Sequence, residues 1–147
     1  MRALRYHGRR DMRLEKVPDP VAGPGELLLR VSVSGVCGTD ATEYTSGPHL
    51  FWPHDRPHPA SGHRGPVIPG HELVGVVEAM GTGVTGFAIG EALASGAGVW
   101  CGTCAACRAG RTNGCERYWT VGLQRDGGLA ELAAVPARTC AAIAPYG

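Results

Sequence analysis

No apolar run in this 147-residue chain approaches the roughly 18 residues that a membrane-crossing helix needs, so a helical membrane protein is not expected. The opening MRALRYHGRR carries charge with no apolar stretch behind it, which argues against a secretory leader. A basic stripe is also missing. The 13 arginines are scattered and formal net charge is only +1, which speaks against a nucleic-acid partner. No segment sustains a 3.6-residue apolar period, so a βαβ series is not expected. Internal repeats and low-complexity linkers are lacking too. These absences leave a single cytoplasmic domain with neither nucleic acid nor membrane as partner.

Glycine and proline are plentiful, at 23 and 11, and point to many turns and short strands. Hydrophobic residues make up 44%, enough for one core. Met1–Tyr6 and Met12–Val17 read as strands joined by a turn at His7-Gly8. Glu26–Ser34 (ELLLRVSVS), His71–Ala79 (HELVGVVEA) and Gly128–Val135 read as three more, and GTGVTG at 81–86 as a turn. Residues 45–69 carry six prolines and four histidines and read as an irregular loop. The spacing of short strands predicts a mainly β domain, a barrel or a sandwich.

The six cysteines, in a reducing compartment, argue for metal binding or catalysis before disulfides. Four fall in a lobe from Trp100 to Tyr118. Cys101, Cys104, Cys107 and Cys115 form C-x2-C-x2-C-x7-C. Two-residue gaps let a tight turn aim successive thiolates at one point, and four thiolates saturate a tetrahedral zinc ion. Such a site staples a loop and leaves no position open for substrate. Gly102, Gly110 and Gly114 supply the backbone freedom for the wrap. An iron–sulfur cluster, disulfides and free thiols are the rivals. The familiar bacterial cluster run ends with a three-residue gap and a proline, whereas here the last gap is seven and Glu116 follows.

A second constellation is dispersed. Cys37 stands in VCGTD after the strongest strand, and His71-Glu72 opens the next. Thiolate, imidazole and carboxylate are all ligands of catalytic zinc. Asp40 is able to accept the remaining ring N–H of His71 and fix its tautomer. Thr39 offers a hydroxyl for proton transfer. Singly, each has a bland explanation: a small buried cysteine, or an ordinary hydrogen-bonded pair. The joint appearance with the four-cysteine lobe is what carries weight.

The order Cys-Gly-Thr-Asp (37–40), Gly-His-Glu (70–72), the four-cysteine lobe and DGGLAEL (126–132) resembles the zinc-dependent medium-chain alcohol dehydrogenases over nearly the whole chain. EYTSGP and the proline/histidine-rich insertion after it look most like the butanediol and polyol dehydrogenase branch. The resemblance implies a GroES-like, partly open β-barrel with short helices over residues 1–147, carrying a structural zinc in the lobe (about 100–118) and a catalytic zinc. Cys37 and His71 would be catalytic ligands, with Glu72 a near-metal carboxylate able to bind zinc in some states. The zinc would act as a Lewis acid, so that an alcohol, diol or polyol gives hydride to NAD(P). Thr39 would open the proton relay.

The chain departs from that family at two points. Thr42 stands where the family often has a relay histidine. A further protein ligand of the catalytic zinc, and the nucleotide-binding domain, are not found; Cys140 matches a strand position and not that ligand. The GTGVTG turn leads into no helix, so it is not read as a dinucleotide loop. Lower zinc occupancy is therefore expected at Cys37, His71 and Glu72 than in the lobe. The loop with His49, His54, His58 and His63 is expected to line the substrate entrance without binding a third metal. Surface that would face a cofactor cleft makes a homo-oligomer an expectation. The alternative reading is a stand-alone zinc-binding GroES-like module without enzyme activity.

Overall fold

ELLLRVSVS is rich in leucine and valine, and in the computed structural model this segment is the long strand β3 (Glu26–Ser34), with Leu27 and Leu29 facing inward at 0% exposure. Residues 1–143 are described. Before β3, β1 (Arg2–Gly8) and β2 (Asp11–Lys16) form an antiparallel ladder. Strand β1 runs through His7-Gly8, and the turn falls at Arg9-Arg10, where Arg10 takes a positive φ of 57°.

Antiparallel pairing joins β3 to β4 (Leu73–Met80) on one side and to β8 (Leu132–Pro136) on the other. Beyond β4 lie β5 (Ala92–Ser95) and β9 (Cys140–Ala142), giving the order β8-β3-β4-β5-β9. The GTGVTG segment is the turn region from β4 toward β5. Two-residue strands β6 (Gly98–Val99) and β7 (Trp119–Thr120) pair with each other. The cysteine lobe leaves the body and returns to it through that short ladder. Inside the lobe, α2 (Ala105–Arg108) is a single turn.

The main core joins Leu27, Leu29, Leu73, Val77, Leu93, Trp119 and Val135 across the five-stranded sheet. A fully buried side chain of this kind stabilises the fold by about 1.5–3 kcal/mol. Tyr6, Phe51, Val67 and Leu123 form a second cluster, with the Tyr6 and Phe51 rings edge to face at 4.7 Å. This cluster ties the long loop to β1, where Tyr6 N–H donates to the Val67 carbonyl.

The helix α1 (Gly38–Ser46) is not apparent from the apolar pattern. It is held at its ends. Asp40 accepts the Cys37 backbone N–H at 2.8 Å, and Gly47 closes the last turn on the Glu43 carbonyl before Pro48. Strand β4 begins at Leu73, so His71 and Glu72 precede it; β8 begins at Leu132, later than Gly128.

Candidate metal centres

Ser34 at the end of β3 pairs with Leu73 at the start of β4. Cys37 and His71 are 34 positions apart, yet each lies two or three residues outside that pair. The Gly35 N–H donates to the Glu72 carbonyl at 2.7 Å and closes the two strand ends together. The consequence is geometric: Cys37, His71 and Glu72 each offer one ligand atom, and these atoms lie within 4.8 Å of one another.

Cys37 caps the N-terminus of α1, and its Sγ lies 3.7 Å from the Thr39 Oγ1. The Asp40 carboxylate is 3% exposed; one oxygen holds the Cys37 N–H, and the other, Oδ1, faces the His71 Nδ1 at 3.8 Å. That gap is longer than a hydrogen bond. Both atoms are buried and neither has a partner. They complement each other, an imidazole N–H with a carboxylate oxygen, and they leave the His71 Nε2 on the side of the Glu72 Oε1 at 3.9 Å. Glu72 is the exposed member, with 54% of its side chain accessible. A half-buried thiol, an imidazole facing a buried carboxylate and an exposed acid fit a zinc ion.

Glycine sets the approach to His71. Gly70 has φ +96°, and a Cβ there would lie 2.6 Å from both the Leu129 N and the Ser34 Oγ. Any side chain would push the loop off the end of β3.

In the lobe, the four Sγ atoms of Cys101, Cys104, Cys107 and Cys115 also lie within 4.8 Å of one another, and the Cys101 and Cys107 sulfurs are 4.0 Å apart. A tetrahedral zinc with bonds of about 2.3 Å spaces its sulfurs at about 3.8 Å, and a disulfide needs about 2.05 Å. All six cysteines are unbridged. Backbone N–H groups point at the sulfurs: Thr103 and Cys104 donate to the Cys101 Sγ at 3.4 Å, and Cys101 donates to the Cys115 Sγ at 3.2 Å. The Thr103 hydroxyl and these backbone donors bring the Cys101 thiol down to about 5. Burial and the neighbouring thiols push Cys107 up to about 12. An anionic sulfur beside a protonated one is what thiols crowded around one point do, and a cation there would favour four thiolates.

The remaining candidates go elsewhere. Cys140 begins β9 at the sheet edge, its thiol facing the Pro136 carbonyl, and burial raises its pKa. Thr42 is exposed on α1. His54 and His58 meet Trp52 edge to face at 4.7 and 4.8 Å; the His58 Nδ1 accepts the Ala60 and Ser61 N–H groups, and burial keeps it below the usual imidazole range. The His49 ring meets the Ser46 hydroxyl, and the His63 ring meets the Gly65 carbonyl. A cavity of about 600 Å³ beside this loop is lined by Arg5, Ser61, His63, Ile68, Arg125 and Asp126, and by none of Cys37, His71 and Glu72.

One anchoring residue escapes a sequence reading. Glu43 on α1 is 1% exposed, and its carboxylate accepts the backbone N–H groups of His49, Leu50 and Phe51 at 2.7–3.2 Å. An acid on a polar helix reads as a solvated side chain. The nearby Gly-Pro turn, which folds the chain back onto the helix, is the only hint.

Comparison with known proteins places this architecture. Residues 23–145 match the family model described as the alcohol dehydrogenase GroES-like domain. The (R,R)-butanediol dehydrogenase of Neisseria gonorrhoeae is 42% identical over 91 residues, covering 62% of this chain and 26% of that protein. The L-threonine 3-dehydrogenase of Idiomarina loihiensis is 36% identical over 141 residues, covering 93% and 38%. The structure of a cobalt- and zinc-bound alcohol dehydrogenase from Pyrobaculum aerophilum superposes with a TM-score of 0.79 at 34% identity, over 97% of this chain and 41% of that one. The chain thus spans well under half of these relatives, which are enzymes; none supports the reading as a module without activity. On its strand order, its two clusters of side chains able to hold a metal and these likenesses, the chain belongs to the alcohol dehydrogenase family, as its GroES-like domain.

Proposed function

We propose that residues 1–147 form the zinc- and substrate-binding part of an alcohol dehydrogenase that converts a secondary alcohol, diol or polyol to the carbonyl compound with NAD(P). The carrying observation is the meeting of Cys37, His71 and Glu72 at the shared end of β3 and β4, apart from the four-cysteine lobe. In this reading Cys37 and His71 would hold the catalytic metal, with the exposed Glu72 carboxylate beside them as a further ligand in some states. Zinc there would supply Lewis acidity that eases loss of the alcohol proton.

The chain's own groups do the rest. Asp40, 3.8 Å behind the His71 Nδ1, stands where a small closure would fix the tautomer and leave Nε2 to the site. The Thr39 hydroxyl, 3.7 Å from the Cys37 sulfur, stands where a proton can pass from the substrate toward solvent. Thr42 offers no imidazole to continue that path, so water or another group, such as a loop histidine, takes the next step. The loop with His49, His54, His58 and His63 borders the entrance. The nicotinamide is held by a nucleotide-binding part outside this sequence, in keeping with the greater length of the relatives. Thiolate ligands of this kind suit the reducing cytoplasm.

Metal analysis tests the reading. The purified chain should bind two zinc ions, the one at Cys37 at lower occupancy, and Cys37→Ser should remove that one alone. An anomalous map at the zinc edge without density between Cys37 and His71 would overturn the catalytic assignment.

A further inference from the structure

Residues 100–118 carry Arg108, Arg111 and Arg117 against one acid, Glu116, so the segment has two net positive charges when its thiols are neutral. Four thiolates around one Zn²⁺ leave two net negative charges. The two imbalances cancel: the lobe is neutral when all four thiolates and the metal are present together.

Arg117 is the arginine built into this balance. Its backbone N–H donates to the Cys115 Sγ at 3.3 Å. Its Nη2 donates to the Thr103 Oγ1 at 3.0 Å, and the Thr103 hydroxyl donates in turn to the Cys101 Sγ at 3.5 Å. The side chain lines a recess of about 240 Å³ together with Cys101 and Arg138. Arg13, Arg30 and Arg125 each hold a carboxylate, whereas none of the ion pairs among the described residues includes Arg117. Its charge faces sulfur.

We propose that Arg117 is a positioning residue for the four-cysteine zinc: its cation, acting directly and through Thr103, offsets the negative charge of the sulfurs and slows metal loss. The proposal rests on the zinc reading of the lobe. Because Arg117 is exposed, its effect is screened by salt and stays at the low end for residues behind the ligands.

The test follows zinc release from the 147-residue chain to a chromogenic chelator, in a Cys37→Ser background that leaves the lobe as the zinc site. At low salt Arg117→Met should release zinc about tenfold faster, while Arg117→Lys stays within about threefold of the parent. In 1 M salt, where the Debye length falls to about 3 Å, the Arg117→Met effect should shrink severalfold. Equal rates for Arg117→Met and the parent, equal rates for the Met and Lys variants, or an acceleration unmoved by salt would overturn the proposal. Should Arg117→Met not fold, Glu116→Gln decides: removing the opposing charge should slow release, and an unchanged rate overturns the idea. A parent lobe without zinc would sink the zinc reading and this proposal together. A zinc-loaded lobe indifferent to Arg117 would sink this proposal alone.

Discussion

Glu43 shows how much a single side chain holds in place. Its carboxylate satisfies three N–H groups where the chain turns back after α1, and its own carbonyl accepts the Tyr6 hydroxyl at 3.0 Å. Each buried donor left unpaired costs roughly 1–3 kcal/mol. Glu43→Ala should therefore lower stability by about 3 kcal/mol in urea unfolding at pH 7; an unchanged midpoint would show the contacts to be idle. Glu26 makes a pH-dependent contribution. Burial opposes its charge, but the hydrogen bond and charge of Arg125, with the Gly23 N–H, outweigh burial and keep the carboxyl below its ordinary 4.5. A depressed folded pKa gives stability that is fully present above the unfolded value and lost as pH falls through the folded one. The stability gap between the parent and Glu26→Gln should then be widest near neutrality and close as pH falls below the ordinary 4.5 and through the lower folded value. A gap constant with pH refutes this account. The grouping of the four lobe cysteines was legible in their spacing, and that of Cys37 with His71 and Glu72 in their joint appearance with the lobe and in the family resemblance. Glu43 was not, since nothing in GTDATEYTS marks one acid as buried.

Among the elements, the cysteine lobe stands apart from the sheet and joins it through the β6–β7 ladder at Gly98–Val99 and Trp119–Thr120. Cys104→Ser should disorder residues 100–118 and expose Arg108, Arg111 and Arg117 to trypsin, while the Trp119 and Leu27 core stays folded. Limited proteolysis with mass spectrometry, beside near-UV circular dichroism, checks this; cooperative loss of the whole fold would refute it. Legibility also varied by element. Strands β3 and β4 announce themselves through Leu and Val. The ALAS of β5 has no β-branched residue, and β6 and β7 are two residues each, so their pairing rests on tertiary contact alone. Helix α1 has little apolar face and stands on its end contacts and the burial of Asp40 and Glu43, which leaves no 3.6-residue period to read.

For the whole molecule, the decisive expectation concerns turnover. Hydride transfer needs the nicotinamide carbon about 3–3.5 Å from the reacting carbon, and such positioning supplies much of the rate. No glycine-rich strand–turn–helix occurs among the described residues to seat a pyrophosphate. The 147-residue chain alone should not oxidise butanediol, sorbitol, threonine or simple secondary alcohols with NAD or NADP; measurable turnover, or nicotinamide binding by calorimetry, would contradict that. The closure of Gly35 on Glu72 has a further bearing. Both halves of the candidate site are pinned to one strand register, and the loop between them is fastened at Glu43 near its start and at Val67 near its end. Residues 53–59 lie between those fastenings, with Trp52 and Ser61 donating to the Leu123 and Gln124 carbonyls on either side, and doubling the length of a flexible loop costs only about 0.6 kcal/mol in closure. A change of length there is thereby insulated from the positions of Cys37, His71 and Glu72.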